Sequence, residues 1–186
     1  MSTSVNAPYH HGNLRQALLE AALIILEKDG EAGLGLRDLA RAVGVSAAAP
    51  YRHFDSRAAL LEALAVTGFQ RFSAAMEAVA SSDPADPMAA MGKTYVLFAL
   101  SNANLFRLMF SPQLKKDGRP GLRMAADAAF DTLRHLVGGD MQTGRIKALA
   151  AWAKVHGLSI LLLDGQIALR AGEDTEALIA EIIGSL

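Results

Sequence analysis

The sequence contains no cysteine, almost no net charge and no long uninterrupted apolar run. Its 186 residues include 18 Lys and Arg against 19 Asp and Glu. The absence of cysteine excludes disulfides, Cys-ligated zinc, iron–sulfur clusters and thiol catalysis. The balanced charge excludes a polybasic tail but leaves room for a local basic face. No stretch of about 18 apolar residues occurs and the N-terminus has no apolar signal core, so we expect a soluble cytoplasmic protein without membrane contact.

Apolar residues recur at helical spacing along nearly the whole chain, and hydrophobic residues make up 52 % of it. Leu14, Leu18, Ala21 and Ile25 follow one another at the spacing that is typical of one face of an amphipathic helix. Alternating strand patterns are absent and β-branched residues are few, so an all-α fold is predicted. Turn signals divide the chain into about nine predicted helices, over 13–30, 36–43, 47–54, 56–80, 87–101, 103–110, 121–137, 143–170 and 174–183.

Two short predicted helices within 36–54 enclose the turn Gly44-Val45-Ser46, which is a helix-turn-helix layout. Gly44 can adopt a positive φ at the turn without steric cost, and Ser46 can cap the second helix. An ordinary helical hairpin would share this layout. The outward positions of the second helix favour nucleic-acid binding, because they hold small residues, an aromatic ring and potential cations but no acid. These positions are Ala47, Ala48, Tyr51, Arg52 and His53.

With these motifs, residues 9–72 resemble the DNA-binding domain of TetR/AcrR-type bacterial transcriptional repressors. The resemblance runs through the first helix, the run Leu36-Arg-Asp-Leu-Ala, the turn after it, and Tyr51-Arg-His-Phe54 leading into Ser56-Arg-Ala-Ala-Leu-Leu61. Trp152-Ala-Lys-Val-His156-Gly157 is similar to the Trp-x-x-x-His-Gly signature of one subgroup with a characteristic C-terminal domain. The resemblance implies a helix-turn-helix domain over 1–56 and a helical ligand-binding and dimerisation domain over 57–186.

The resemblance also implies roles for individual residues of the first domain. The predicted helix over 47–54 would enter the major groove of double-stranded DNA. Tyr51, His53 and Arg57 match family positions that contact phosphates, and Arg37 matches a position that can reach a base or a phosphate. The full set of expected DNA-binding residues is His11, Gly35, Arg37, Ser46, Ala47, Ala48, Ala49, Tyr51, Arg52, His53 and Arg57.

The chain departs from the family pattern where hydroxyl side chains are common. Gly35 and Leu36 stand where the family often has Thr, and the alanines at 47–49 replace Ser or Thr near the end of that run. Alanine cannot make bidentate contacts to a base edge, although it can touch a thymine methyl group. We therefore predict that base readout depends mainly on Arg37, with a contribution from Arg52 and from DNA shape.

Large apolar side chains cluster in the C-terminal two thirds of the chain, where the resemblance places a small-molecule pocket. Such side chains are more often core residues than ligand contacts, but methionines beside aromatic rings also suit a pocket that can repack. His156 lies one turn after Trp152, and either orients a ligand or is a buried, inert histidine. The expected ligand-binding residues are Phe98, Phe106, Met109, Phe110, Met124, Phe130, Trp152 and His156.

The last two predicted helices are too apolar to bury all their faces within one subunit. Paired apolar helices form isologous interfaces, and the resemblance implies a two-fold four-helix contact in a homodimer. The expected interface residues are Ile160, Leu163, Ile167, Leu178, Ile179, Ile182 and Ile183.

These features predict a ligand-responsive repressor that binds a palindromic operator as a homodimer and is released by a small molecule. It would need no cofactor and no metal, and it would not be an enzyme. Two alternatives remain open: a small all-helical enzyme with an apolar pocket, and a DNA-binding regulator that has no effector. The enzyme alternative lacks a convincing acid–base pair or nucleophile in the sequence.

Overall fold

The computed structural model describes residues 14–114, 118–167, 170 and 172–184, and in these ranges every regular element is helical. The predicted all-α fold is therefore confirmed. The α-helices are α1 (Leu14–Asp29), α2 (Leu36–Val43), α3 (Arg57–Ser81), α4 (Pro87–Ser101), α5 (Ala103–Met109), α6 (Pro120–Val137), α7 (Met141–Leu163) and α8 (Thr175–Gly184), with short 3₁₀ helices at Glu31–Gly33 and Pro50–Arg52. The chain divides into two compact units, one ending at Leu64 and one beginning at Ala65, so the division falls within α3.

Capping residues explain where several helices begin and end. The carboxylate of Asp86 accepts a hydrogen bond of 3.0 Å from the Ala89 N–H at the start of α4. The carboxylate of Asp140 does the same for α7, accepting from two backbone N–H groups. Both are N-caps that satisfy amide groups which the helix itself leaves unpaired. Gly44 ends α2 in the left-handed conformation at φ 75°, where a residue with a side chain would be strained.

The second helix of the helix-turn-helix segment is shorter than expected. The predicted helix over 47–54 consists of turn residues followed by the 3₁₀ helix Pro50–Arg52. Pro50 has no N–H group, so it cannot donate the bond to residue 46 that an α-helix would require there. The Ala49 N–H instead donates to the Ser46 carbonyl at 2.9 Å, three residues back. A hydrogen bond of α-helical spacing forms at Phe54, whose N–H donates to the Pro50 carbonyl, also at 2.9 Å.

The helix predicted over 143–170 also ends early, at Leu163. Gly165 has φ +65°, and its N–H donates to the Leu162 carbonyl while the Gln166 N–H donates to the Leu161 carbonyl. This pair of bonds is the Schellman motif, which terminates an α-helix and satisfies its last carbonyls. The sequence reading missed this end because apolar spacing continues past the glycine.

Each unit has its own buried core. In the first unit, Leu18, Leu39 and Leu60 are fully buried. In the second unit, α4 packs against both α7 and α8, and α6 packs against α7. A Cβ atom at Gly92 of α4 would lie 3.1 Å from a methyl group of Ile183, so the glycine allows α8 to approach α4 closely. By length and hydropathy alone α7 could span a membrane, and within the second unit it packs against α4 and α6.

Candidate DNA-binding surface and ligand cavity

The first unit presents polar side chains around its helix-turn-helix segment. Arg37 of α2 is exposed, as are Arg52 and His53, and Tyr51 is 47 % exposed. Within the described part of this unit, the guanidinium groups of Arg37 and Arg52 have no hydrogen-bond or ion-pair partner. Pro50 and Phe54 on either side are buried, so packing of these two residues holds the intervening triplet outward.

The remaining predicted DNA-binding residues differ in their exposure to solvent. Ser46, Ala47 and Ala48 are exposed, whereas Gly35 and Ala49 are half-buried. His11 lies outside the described residues.

The guanidinium of Arg57 is engaged within its own unit. Its Nε donates to the Leu34 carbonyl at 2.8 Å and its Nη2 to the Glu31 carbonyl at 2.5 Å. Its Nη1 also pairs with the Glu31 carboxylate at 3.3 Å. These bonds tie the start of α3 to the segment that leads into α2. The phosphate contact expected of Arg57 would have to compete with them, and it stays a prediction.

The first turn of α2 carries one carboxylate, that of Asp38. Gly35 supplies no capping side chain. A Cβ atom on Gly35 would lie 2.7 Å from Oδ2 of Asp38, so the carboxylate folds back over the first turn. A negative charge there is stabilised by the helix dipole. Asp38 also pairs with Arg41 at 3.2 Å, which offsets part of its charge.

The second unit contains a cavity of about 860 Å³ with a mainly apolar wall that includes six aromatic side chains. Three of the residues expected at a ligand site line it: Phe110, Phe130 and Trp152. The volume lies in the range of pockets that hold drug-sized molecules. Helices α3, α4, α6, α7 and α8 all contribute to the wall.

The other expected ligand residues lie outside this wall. Phe106 and Met109 are buried in the core, and Phe98 packs edge-on against Phe72 with ring centroids 5.2 Å apart. Met124 is 71 % exposed, because α6 turns Ala126, Ala129 and Phe130 toward the cavity and Met124 away from it. Helical spacing identified α6 as amphipathic but did not show which side faced the cavity.

A hydrogen-bonded chain of three side chains crosses the cavity wall. The Trp152 Nε1–H donates to the Tyr95 hydroxyl at 2.9 Å. The same hydroxyl lies 2.9 Å from Nδ1 of His156. Donation of the Tyr95 proton to Nδ1 would satisfy both groups, and we assign the neutral His156 tautomer that carries its proton on Nε2. Burial raises the pKa of Tyr95 far above its usual range, with a smaller opposing effect from the Trp152 bond.

His156 is surrounded by aromatic rings rather than by ligand space. Its ring lies 4.6 Å from Phe110 and 5.4 Å from Phe106, centroid to centroid. Burial lowers the pKa of His156, which favours the neutral ring that the Tyr95 bond requires. Trp152 and His156, one turn apart on α7, thus share a single partner on α4.

Sequence reasoning missed Tyr95 and its neighbours on α4. Met88, Met91 and Tyr95 all line the cavity and are spaced three and four residues apart. That row is a recognisable amphipathic signal, although spacing alone would not separate a cavity wall from a packed core.

The expected dimer residues also divide into two sets. Ile179 is 0 % exposed and Ile183 is buried beside it, so we assign both to the core of the subunit rather than to its surface. They lie one turn apart on the face of α8 that meets α4. The second set is half-buried and consists of Ile160, Leu163, Ile167, Leu178 and Ile182. Leu161 of α7, which the sequence reading did not select, is 46 % exposed.

The chain has a helix-turn-helix segment with outward cations and, after it, a helical unit that contains an apolar cavity. This combination defines a DNA-binding transcriptional regulator. Residues 18–64 match the family model for bacterial regulatory proteins of the tetR family. Residues 88–186 match the model for the tetracyclin repressor-like C-terminal domain. The chain belongs to the tetR family of bacterial regulatory proteins, as its resemblance predicted.

Solved structures share the fold along nearly the whole chain. A protein of unknown function from Rhodococcus sp. RHA1 is 37 % identical, with a TM-score of 0.80, covering 97 % of this chain and 94 % of the other. The regulator FadR from Bacillus subtilis, solved in complex with stearoyl-CoA, is 14 % identical, with a TM-score of 0.68 and coverages of 91 % and 96 %. AibR, solved with isovaleryl coenzyme A and operator DNA, is 20 % identical, with a TM-score of 0.64 and coverages of 92 % and 96 %. No curated protein matches the chain.

Proposed function

We propose that the protein is a dimeric, ligand-responsive repressor that binds a palindromic operator and releases it when a small molecule occupies the cavity of the second unit. The observation that carries this proposal is the cavity of about 860 Å³ with its mainly apolar wall. FadR and AibR, which share the fold, were solved with acyl-coenzyme A ligands, and AibR also with operator DNA. One fold can therefore hold both kinds of partner.

The exposed face of the helix-turn-helix segment supplies the DNA contacts in this proposal. Arg37 reads base edges, and Tyr51, Arg52 and His53 position the segment on phosphates. The exposure of all four side chains supports these roles. Phosphate contacts release counterions, so operator affinity should fall steeply with salt. The protein then acts in the cytoplasm, where the operator is accessible.

The outer side of α7 supplies the dimer contact in this proposal. This side of α7 carries Ile146, Ala153, Gly157 and Leu161 at intervals of seven, four and four residues, and Ile146 is 58 % exposed. A Cβ atom at Gly157 would meet no atom within 4 Å, so packing within the subunit does not require this glycine. Glycine inside a helix costs about 1 kcal/mol relative to alanine. Close approach of a second copy of α7 would account for it.

Helix α3 couples the two activities in this proposal. It begins at Arg57 and contributes Phe69, Phe72 and Met76 to the cavity wall. A ligand that binds one arrangement of α3 more tightly than another shifts the population between them. Changing the spacing of the two recognition segments from the roughly 34–36 Å of one DNA turn would release the operator.

We propose that the cavity binds its ligand without catalysis. The candidate reactive pair is Tyr95 of the wall with His156 beside it, but the Tyr95 hydroxyl is held between two partners. A hydroxyl with a strongly raised pKa is a poor nucleophile.

The decisive experiment is footprinting of the purified protein on the DNA that flanks its own gene. We expect protection of a two-fold symmetric site by a dimer, with protection lost on addition of the effector. Protection of an asymmetric site by a monomer would contradict the dimeric mechanism. Binding to no DNA, together with turnover of a cavity ligand, would support an enzyme instead.

A further inference from the structure

We propose that the effector is an amphipathic organic anion, with an apolar body among the aromatic rings and an acidic head group held by Arg145 and Lys147. This inference rests on the proposed ligand-responsive function and names the chemical class of the ligand. The inference follows from two observations. The polar side chains in the aromatic part of the wall are bonded to one another, whereas two cations of the wall have no bonded partner in the part of the chain that the structure describes.

The aromatic part of the wall offers a ligand little hydrogen-bonding capacity. Its polar side chains Tyr95 and Trp152 are bonded to each other, and the Tyr95 hydroxyl is also bonded to His156, which does not line the cavity. A polar ligand group placed beside them would lose its hydration with little compensation, which costs free energy. The part of the ligand that enters between Phe72, Phe110 and Trp152 is therefore apolar.

The charged part of the wall is predominantly positive. Helix α7 contains no Asp or Glu in its 23 residues, and its Arg145, Lys147 and Lys154 all line the cavity. Lys154 donates to the carbonyl of Ile183 at 2.9 Å. Among the described residues, the side chains of Arg145 and Lys147 have no hydrogen-bond or ion-pair partner. Both side chains are exposed, so they lie where a head group could remain partly hydrated.

The carboxylates that line the cavity, and the one that interacts with Lys147, already have hydrogen-bond or ion-pair partners. Asp127 lines the cavity but pairs with Arg123 at 3.7 Å. Asp86 also lines the cavity, and its carboxylate caps α4. Asp140 caps α7 and interacts with Lys147 only at longer range. Arg145 and Lys147 therefore have no direct ion-pair partner among the described residues, and the wall holds three cations against two carboxylates, which favours a ligand of negative charge.

The spacing along α7 sets an approximate ligand length. Arg145, Leu149 and Trp152 are separated by four and three residues and all line the cavity. Seven residues of α-helix rise about 10 Å. A flat aromatic or branched apolar body with an acid on a short alkyl arm fits that distance.

The test uses three fluorescent probes that differ only in their head group: pyrenebutanoate, pyrenebutanol and pyrenebutylamine. Trp152 is the only tryptophan of the chain and lines the cavity, so quenching of its fluorescence reports occupancy. We expect the wild-type dimer to bind the carboxylate about tenfold more tightly than the alcohol, since two charge-assisted contacts are gained. The amine should bind most weakly of the three.

The double variant Arg145→Gln/Lys147→Gln should bind the carboxylate no more tightly than the alcohol, with alcohol affinity unchanged. The matched control is Arg134→Gln/Lys93→Gln, which removes two cations that lie outside the wall and pair with Asp131 and Glu176. The control should keep the preference for the carboxylate. Equal binding of all three probes, or tightest binding of the amine, would overturn the anionic class and leave the regulator function standing. Failure of every probe to quench Trp152 would overturn both the anionic ligand class and the ligand-binding function.

Discussion

The helix-turn-helix face of the first unit and the aromatic part of the cavity wall in the second treat their polar side chains in opposite ways. In the first unit, Arg37 and Arg52 extend into solvent, and their guanidinium groups meet no partner in the described chain. In the second unit, Tyr95, Trp152 and His156 are buried or half-buried and bonded to one another. A surface that must bind phosphates keeps its donors free, because donors already paired would have to be released first. A cavity that receives an apolar body must satisfy its donors internally, because water is excluded there.

This difference predicts that substitutions in the two units separate DNA affinity from stability. The largest effect should come from Arg37→Ala. Loss of a base contact costs about 1–3 kcal/mol per subunit, so a dimer should lose about 2–6 kcal/mol of operator affinity with little change in melting temperature. Titrations against the operator and against mutated sites check this. A loss that is uniform over all sequences would show that Arg37 only positions the protein.

A second prediction concerns the outer face of α7. Gly157→Leu should weaken the dimer by about 2 kcal/mol or more, because the added side chain separates the two helices. The helix itself should gain up to about 1 kcal/mol, since leucine is a better helix former than glycine. Sedimentation over a range of concentrations measures the dimer. Gly121→Leu is the control, because Gly121 lies on α6 with no neighbour within 4 Å of its added Cβ. Equal dimerisation of the two variants would place the interface elsewhere.

The third prediction breaks the buried hydrogen-bond chain. Tyr95→Phe leaves the Trp152 N–H and Nδ1 of His156 without their partner. We expect a loss of about 1–3 kcal/mol in the free energy of unfolding, which is the cost of leaving buried polar groups unpaired. Urea denaturation measures it. Tyr51→Phe removes the same atom from an exposed ring and should change stability by less than about 0.5 kcal/mol. Similar effects in the two variants would mean that the buried hydrogen bonds of Tyr95 contribute nothing to stability.

The fourth prediction concerns Arg57, whose guanidinium donates to two backbone carbonyls of its own unit. Arg57→Gln should lower the free energy of unfolding by about 1 kcal/mol, because the carbonyls of Leu34 and Glu31 lose their donors. Arg41→Gln is the control, since its pair with Asp38 is exposed and contributes little. If Arg57→Gln weakens operator binding without affecting stability, Arg57 contacts phosphate instead.

The smallest effect should be a pH dependence at His156. Its pKa is lowered in the folded protein, so below pH about 6.5 the unfolded chain binds a proton that the folded chain resists. Stability should therefore fall as pH decreases through this region. His156→Gln keeps an acceptor for Tyr95 but cannot titrate, so its melting temperature should fall less between pH 7.5 and 5.5. Parallel curves for the two proteins would contradict this assignment.

Helix-forming stripes and turn residues were sufficient to predict much of the fold. The spacing from Leu14 to Ile25 predicted α1, Gly44 predicted the end of α2, and the linker before Pro87 predicted the start of α4. These features are local, because a helix is built from bonds between residues four apart and ends where a side chain or a φ angle prevents the next one. The same locality explains why the prediction for 47–54 was wrong, because the missing N–H of Pro50 prevents an α-helical bond there and leaves a 3₁₀ helix.

The composition of the site depended on tertiary packing. Apolar spacing marked α6, α7 and α8 as amphipathic, yet it could not tell that Met124 faces solvent, that Ile179 faces α4, or that Leu161 is left uncovered. It also could not bring Tyr95 to Trp152 and His156, which lie more than fifty residues further along the chain. A sequence determines which faces of its helices avoid water. Which neighbour covers each face, and where a cavity is left between them, depends on how the helices pack in three dimensions.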